Sequence, residues 1–204
     1  MKKCIIICGG PESCNNVVFD KDSFVICADS GYDKAVKADI KPDLILGDFD
    51  SVKNNLPEDC EIIRASTHKD DTDTMLAVKT ALMRGYADIT LAAATGGRSD
   101  HFLANIATLL YIQEHGANGR ITGDETDAFI LSNSTADIIP DKSRYLSIFA
   151  VTDTATVSIK NAEYPLSKYK LSRSYPIGVS NEFCDIPCRV EAEQGIILVM
   201  TVKK

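Results

Sequence analysis

The chain has 204 residues, of which 45% are hydrophobic and 25% are charged, proportions that are typical of globular proteins. Its formal net charge of -7 argues against a nucleic-acid partner, because phosphate binding needs a basic surface. No apolar run is long enough to cross a bilayer, so we expect no membrane association.

The N-terminus and the cysteines indicate the compartment. The apolar run Cys4–Cys8 is followed at once by Gly9-Gly10-Pro11, so it is too short for a signal peptide and predicts a first strand. Without an export signal we expect a cytoplasmic location. The seven cysteines are irregularly spaced, and Cys184 and Cys188 lack the second pair or the histidine that would complete a zinc site. We therefore expect free thiols.

Strands and helices alternate over the first 122 residues. Six strands are predicted at Lys3–Cys8, Phe24–Ala28, Leu44–Leu46, Glu61–Ala65, Ile89–Ala94 and Arg120–Thr122. Helices are predicted between them at Cys14–Phe19, Tyr32–Asp39, about 73–84 and about 100–114. Because strands that alternate with such helices form right-handed βαβ units, we predict an α/β fold whose mostly parallel, Rossmann-like sheet has flanking helices.

The pattern changes after about residue 132. Short strands, separated by Asp, Asn, Pro and Gly turns, are predicted at Tyr145–Val151, Ala155–Lys160, Cys188–Glu193 and Ile196–Val202. No helical period remains in this part, which indicates a smaller antiparallel β-sandwich. We therefore predict two domains, residues 1–132 and 133–204.

Acidic residues follow four successive strands of the first domain. They are Asp29 after the second strand, Asp48 and Asp50 after the third, Asp70, Asp71 and Asp73 after the fourth, and Asp100 after the fifth. The carboxyl ends of parallel strands meet at one edge of a sheet, so these side chains are expected to converge there. A role as helix N-cap would explain a single aspartate such as Asp73 or Asp100. It would not explain two or three aspartates that follow the same strand.

Converging carboxylates need a counter-charge. Two of them about 4 Å apart repel by roughly 4 kcal/mol at an effective dielectric near 20. Oxygen ligands without a cluster of Cys or His favour Mg²⁺ over zinc. Because Mg²⁺ usually shares its coordination with substrate phosphates, a nucleoside triphosphate is the expected co-ligand.

The run Gly96-Gly97-Arg98 supplies a candidate phosphate site. Its glycines let backbone N–H groups approach an anion, the following helix adds its positive N-terminus, and Arg98 can contact two phosphate oxygens at once. His101 and Asn105 are four residues apart on one helix face and are expected to point to the same site. No Walker A sequence occurs, so this is not a P-loop enzyme.

These motifs together resemble the bacterial type of the thiamine pyrophosphokinase family. The similar stretches are Ala-Asp-Ser-Gly at 28–31, Pro-Asp-Leu-Ile-Leu-Gly-Asp-Phe-Asp-Ser at 42–51, Lys-Asp-Asp-Thr-Asp at 69–73, Gly-Gly-Arg-Ser-Asp-His with Asn105 at 96–105, Tyr-Pro-Leu at 164–166 and Gly-Val-Ser-Asn-Glu at 178–182. They occur in the family's order and span nearly the whole chain. Their combination is specific, whereas each piece alone is not.

The resemblance implies an enzyme that transfers a pyrophosphoryl group from ATP to the hydroxyethyl oxygen of thiamine, giving thiamine diphosphate and AMP. It also implies a homodimer with thiamine near the subunit interface. Carried over by motif, the Mg²⁺ ligands would be Asp48, Asp50, Asp70 and Asp73. The nucleotide would be bound by Asp29, Gly96, Gly97, Arg98, His101 and Asn105. Asp100 would serve the attacking hydroxyl, and Ser180 and Asn181 would contact thiamine.

Two alternatives remain open from the residues alone. One is another Mg²⁺-dependent phosphohydrolase or nucleotidyltransferase on the same scaffold, and the other is a catalytically silent thiamine- or nucleotide-binding protein. The chain also departs from the family pattern, since Ser30 replaces a frequent second glycine and no Trp is present to stack on thiamine. For the proton of the hydroxyl, the candidate acceptors are Asp100 and Asp71.

Overall fold

The computed structural model describes residues 1–66 and 70–204 and divides the chain into two compact units, Met1–Asp124 and Glu125–Lys204. None of the helices among these residues has the length and apolar character needed to cross a membrane. The two units are described separately below.

The first unit is a parallel sheet with helices, as predicted. Its elements are β1 (Lys3–Ile7), β2 (Phe24–Ala28), α1 (Gly31–Lys37), β3 (Leu44–Gly47), β4 (Glu61–Arg64), α2 (Asp73–Met83), β5 (Asp88–Ala92), α3 (Ser99–Glu114) and β6 (Asn118–Thr122). The strands lie in the order β6-β5-β1-β2-β3-β4, and all neighbours are parallel. The predicted helix at Cys14–Phe19 is wrong, because that stretch consists of turns and irregular backbone.

The local sequence explains these elements. The central strands are continuous apolar runs, as strands covered on both faces require. The α2 helix begins after Thr72, whose hydroxyl accepts a hydrogen bond from the Met75 N–H at 3.1 Å. It ends before Gly85, whose φ of +80° is the left-handed conformation that commonly stops a helix.

The order of the strands defines where a ligand crevice forms. From β1 the chain proceeds outward through β2, β3 and β4, and then returns to the other side of β1 for β5 and β6. The switch point therefore lies between β1 and β5, and crevices of open α/β sheets lie at the carboxyl ends of the strands beside such a point. We call this side of the sheet, where β1 to β6 end, the carboxyl edge.

The second unit is antiparallel, as predicted. Its strands are β7 (Thr126–Ile138), β8 (Arg144–Ala150), β9 (Thr154–Lys160), β10 (Leu166–Ser172), β11 (Asn181–Glu182) and β12 (Cys188–Lys203). The two predicted strands at 188–193 and 196–202 are halves of β12, which is interrupted by an irregularity between Ala192 and Ile196. The first half pairs with β9 and the second with β8, so this strand joins two parts of the sheet around one apolar core.

The division between the units lies at residue 124 rather than near residue 132. The predicted boundary falls inside β7, which pairs along its length with β12 and so belongs to the second unit. Its polar run Ser132-Asn133-Ser134-Thr135 resembles a linker in the sequence. In the structure this run is held by the strand ladder, since cross-strand pairing does not require apolar side chains.

Candidate active site

The ends of β2 and β3 approach each other unusually closely. The Asp29 N–H donates to the Leu46 carbonyl at 2.8 Å. Gly47 has a φ of +150°, and a Cβ on it would lie 3.1 Å from the Asp29 Cα. A side chain at position 47 would therefore push the two strand ends apart. Glycine at this position lets Asp29 lie beside the Asp-x-Asp turn that follows β3.

That turn directs two carboxylates to the carboxyl edge. The Asp50 N–H donates to Asp48 Oδ1 at 3.2 Å, which closes the turn. Phe49 has a φ of +66° and packs against the core of the first unit. The Arg64 guanidinium carbon lies 5.2 Å from the centroid of its ring. With Phe49 held in this way, Asp48 and Asp50 lie on either side of it at the surface.

The structure brings Asp29, Asp48 and Asp50 together. One carboxylate oxygen of each lies within 4.8 Å of the others. Asp29 Oδ1 is buried and has no hydrogen-bond partner among the described residues. Burial raises the pKa of Asp29, and the negative charges of Asp73, Asp48 and Asp50 add to the effect. An unpartnered oxygen among clustered carboxylates fits a hard divalent cation such as Mg²⁺.

The carboxylates after β4 have different environments. Asp73 is the first residue of α2, and its charge acts on Asp29, although it is not one of the three clustered carboxylates. Asp70 is exposed. Lys79 Nζ donates to both oxygens of Asp71 at 2.8 and 2.7 Å, so Asp71 is already paired. Lys69, the first residue of the predicted motif, lies outside the described residues.

Arg98 and Asp100 form an ion pair at the start of α3. Arg98 Nε and Nη2 donate to the two oxygens of Asp100 at 3.1 and 2.6 Å. The Asp100 carboxylate also accepts the His101 N–H at 2.9 Å. The hydrogen bond from Arg98 holds the pKa of Asp100 at about 2. A carboxylate with so low a pKa is a weak general base at neutral pH.

The other predicted nucleotide residues separate into exposed and buried groups. Gly96 and Gly97 are exposed and have φ of +77° and +64°. A Cβ on either would lie 2.9 or 3.2 Å from the Pro11 ring, so close packing also requires these glycines. His101 is exposed, whereas Asn105 is buried and donates from Nδ2 to the Ala94 carbonyl at 2.7 Å. Asn105 thus ties α3 to the segment after β5, and it does not share an environment with His101.

The predicted thiamine residues lie together in the second unit. Ser180 is exposed and has a φ of +59°, and its N–H donates to Ser147 Oγ at 3.2 Å. Asn181 is buried. Its side chain accepts the Tyr164 N–H at 3.0 Å and donates to the Tyr164 carbonyl at 2.8 Å. Asn181 therefore fixes the backbone around Tyr164 relative to β11, and it presents the neighbouring Ser180 at the surface.

Comparison with known families decides the identity of this arrangement. The family model described as thiamin pyrophosphokinase, catalytic domain, matches residues 16–121, and the one described as its vitamin B1 binding domain matches residues 135–197. The chain belongs to the thiamin pyrophosphokinase family. Membership confirms the resemblance that the sequence motifs indicated, and the catalytic match contains the clustered aspartates of the first unit.

Individual relatives agree with this family membership. The thiamine pyrophosphokinase of Bacillus subtilis (strain 168) is 27% identical over 213 residues, which cover 98% of each chain. A crystal structure of thiamine pyrophosphokinase from Bacillus subtilis superposes with a TM-score of 0.88 at 25% identity and full coverage of both chains. Thiamin pyrophosphokinase from Candida albicans has the same fold, with a TM-score of 0.76 at 16% identity over 98% of this chain and 90% of that one.

Sequence reasoning missed two features of this thiamin pyrophosphokinase family member. Asp29, which the strand pattern placed at the same edge as Asp48 and Asp50, does lie with them, although the motif assigned it to the nucleotide. Lys79, which pairs with Asp71, was not singled out because a lysine eight residues away on a helix carries no local signal. Thr95 was not singled out either, because only the folded structure shows that its hydroxyl is buried.

Proposed function

We propose that this member of the family is a thiamine diphosphokinase that uses ATP. The thiamine hydroxyethyl oxygen attacks the β-phosphorus and loses its proton to water. The bond from that phosphorus to the oxygen shared with the α-phosphate breaks, and AMP leaves. The observation that carries the proposal is the cluster of Asp29, Asp48 and Asp50 at the carboxyl edge, in a chain matched by both a catalytic and a vitamin B1 binding family model.

In this proposal the carboxylates hold Mg²⁺. Asp29, Asp48 and Asp50 would bind it directly, and Asp73 and Asp70 would complete the acidic surroundings, with Asp73 already acting on Asp29. When bound, Mg²⁺ supplies positive charge for the triphosphate. The three carboxylates also fix where the phosphates lie, because they are held by the backbone turns at the ends of β2 and β3.

Arg98 and the start of α3 would bind the phosphates. Gly96 and Gly97 leave the backbone open on their exposed side, and His101 is exposed on the first turn of the helix. In the free protein the Arg98 guanidinium is paired with Asp100, so a phosphate has to replace or share that partner. We therefore assign Asp100 to orienting Arg98 rather than to proton abstraction, and Asn105 to holding the segment that carries both glycines.

Thiamine would bind at the second unit. Ser180 is exposed beside Asn181, whose amide is engaged by the backbone of Tyr164. We propose that Ser180 contacts thiamine and that Asn181 positions it. Each role follows from whether the side chain is exposed or already hydrogen-bonded.

A homodimer in the cytoplasm completes the proposal. In the second unit, Tyr175, Ile177 and Val179 occupy every second position of one segment and are all exposed, which supports burial against another copy. All seven cysteines are free thiols, which suits a reducing compartment. Sedimentation of the wild type and of Tyr175→Ser/Ile177→Ser tests the dimer, which the double variant should weaken.

The turnover assay tests the proposed reaction. Incubation with ATP, Mg²⁺ and thiamine should produce AMP and thiamine diphosphate in equal amounts. Asp48→Asn and Asp50→Asn should each lose most of the turnover while remaining folded. The matched control is Asp22→Asn, because this exposed aspartate precedes the start of β2, at the opposite end of that strand from Asp29. Loss of ATP that is indifferent to thiamine would indicate a phosphohydrolase instead. Binding of either substrate without any turnover would indicate a silent binding protein.

A further inference from the structure

The Thr95 hydroxyl is buried without a partner. The residue is 3% exposed, and Oγ1 has no hydrogen-bond partner among the described residues. The other buried side-chain oxygen in this situation is Asp29 Oδ1, which lies in the proposed cation site. Because buried polar atoms are nearly always hydrogen-bonded, an exception in a native fold indicates a functional role or a bound water.

Thr95 lies at the switch point of the sheet. It follows the end of β5, and β5 is the direct parallel neighbour of β1. The two strand ends stay joined beyond the ladder, because the Cys8 N–H donates to the Ala92 carbonyl at 2.9 Å and the Gly10 N–H to the Ala93 carbonyl at 3.0 Å. This is the place where the topology opens a crevice for a ligand.

The segments around Thr95 are rich in glycine. A Cβ on Gly10 would lie 2.3 Å from the Ala93 carbonyl oxygen and 3.0 Å from that of Thr95. Gly96 and Gly97 follow directly and are exposed. The missing side chain at Gly10 makes room for the carbonyls of Ala93 and Thr95, while Gly96 and Gly97 expose backbone next to Thr95. A phosphate oxygen can approach such exposed glycine backbone.

The segment that runs from Gly10 beside the Thr95 backbone is held by hydrogen bonds. Ser13 donates from both its N–H and its Oγ to the Asp124 carboxylate at 3.1 Å each, and the Asp124 N–H donates to Glu12 Oε2 at 2.9 Å. Pro11 packs against the glycines beside Thr95. The chain on this side of Thr95 is therefore fixed in place.

The nearest helix end favours an anion at the same place. The α3 helix has 16 residues and begins at Ser99, four residues after Thr95. Its N-cap residue, Arg98, makes no capping hydrogen bond with its side chain. The partial positive charge of this helix end and the unpartnered hydroxyl therefore lie within one short segment.

Resting on the proposed function, we propose that the Thr95 hydroxyl donates a hydrogen bond to a phosphate oxygen of the bound nucleoside triphosphate. Rotation about χ1 moves the hydroxyl between staggered positions without moving the backbone, so the group can turn toward a ligand at the exposed backbone of Gly96 and Gly97. Thr95 is then a substrate-binding residue at the phosphate end of the site, in addition to Arg98.

Three variants test this role. Thr95→Val keeps the shape and removes only the hydroxyl, whereas Thr95→Ser keeps the hydroxyl. Thr108→Val is the matched control, because Thr108 is equally buried in the same unit but donates to the Ala104 carbonyl at 2.9 Å. The measurements are ATP affinity in the presence of Mg²⁺, by calorimetry, and the urea midpoint of unfolding of the free proteins.

We expect Thr95→Val to weaken ATP binding about 10-fold or more, as for loss of a hydrogen bond to a charged group, with an unchanged or higher urea midpoint. Thr95→Ser should bind ATP within about 3-fold of the wild type, and Thr108→Val should lose stability but keep its affinity. Wild-type affinity in Thr95→Val overturns the inference, whether or not its midpoint falls. Failure of the wild type itself to bind ATP would overturn the proposed function together with this inference.

Discussion

Lys79 on α2 holds Asp71 by two hydrogen bonds, at 2.8 and 2.7 Å, from one ammonium group to both carboxylate oxygens. The same ammonium lies 6.0 Å from the centroid of the Tyr111 ring on α3. Asp71 is therefore tied to α2, whereas Asp70, which precedes it, is exposed. The pair thus separates a structural carboxylate from those proposed to face the cation.

Loss of this pair should affect catalysis more than stability. We expect Lys79→Met to lower kcat/KM about 3- to 10-fold, because a freed Asp71 can compete for the cation and shift the loop. Since both side chains are about one-third exposed, the free energy of unfolding should change by only about 1 kcal/mol or less. The Mg²⁺ dependence of the rate and urea unfolding provide the two readouts. Lys79→Arg keeps the charge and should behave nearly as the wild type; equal rates for all three proteins would contradict this role.

Neutralising Asp29 should have opposite effects with and without Mg²⁺. Without divalent cations, Asp29→Asn relieves repulsion among three carboxylates and should raise the free energy of unfolding by about 1 kcal/mol in this partly solvated site. With Mg²⁺ present, the wild type should gain stability through binding and Asp29→Asn should gain much less. Urea unfolding in EDTA and in excess Mg²⁺ measures both effects, with Asp22→Asn as the control. If Mg²⁺ raised the free energy of unfolding equally in the two proteins, Asp29 would not be a ligand of the cation.

The Arg98–Asp100 pair should be visible in an acid titration. Because Arg98 lowers the pKa of Asp100 to about 2, this carboxylate should stay charged through the pH range where ordinary aspartates take up a proton. Its folded-state pKa lies below its unfolded value, so the pair is present above about pH 4 and is lost as the pH falls toward about 2. The Asp100 Cγ chemical shift reports this directly. In Arg98→Met its midpoint should rise toward the ordinary value, and an unchanged midpoint would exclude Arg98 as the cause.

Two glycines should respond very differently to alanine. A Cβ on Gly31 would lie 2.0 Å from the Ile7 carbonyl oxygen, which belongs to the backbone of a central strand. Gly31→Ala should therefore destabilise the fold by about 3 kcal/mol or more. Gly85 has a φ of +80°, and a Cβ added to it would have open space around it. The free energy of unfolding of Gly85→Ala should therefore fall by only about 1 kcal/mol, through backbone strain. Urea unfolding compares them, and similar losses would refute the close contact at Gly31.

The buried thiols should resist alkylation, and in the folded protein they should stay protonated at alkaline pH. Burial raises the pKa of Cys4 to about 12 and that of Cys8 to about 11. Iodoacetamide should thus label the partly exposed Cys60 and Cys184 first, and the buried thiols only after unfolding. Since the unfolded thiols ionise near pH 9 and the folded ones do not, stability should fall as the pH rises from about 9. Rapid native labelling of Cys8, followed by mass spectrometry, would contradict its burial.

Strand and helix positions in the first unit followed from the sequence because each buried strand is a continuous apolar run bounded by turn residues. The second unit was harder to predict. In the sequence, the polar stretch of β7 resembles a linker and β12 resembles two separate strands. Both are held as continuous strands by pairing with segments far along the chain, which the local sequence does not reveal. In the first unit, turns and irregular backbone stand at Cys14–Phe19 in place of the predicted helix, and Asn16 there and Ser13 just before it donate to the distant Asp124.

By itself the sequence determined the family, the parallel sheet and the acidic carboxyl edge, since strand periodicity and motif order are properties of neighbouring residues. Only the tertiary structure decided which carboxylates lie together. Gly47 allows Asp29 to approach Asp48, and Lys79 withdraws Asp71. It also showed that the Thr95 hydroxyl is buried with no partner in the part of the chain that the structure describes. These are relations between segments distant in the chain, and close packing and desolvation create them only when the chain is folded.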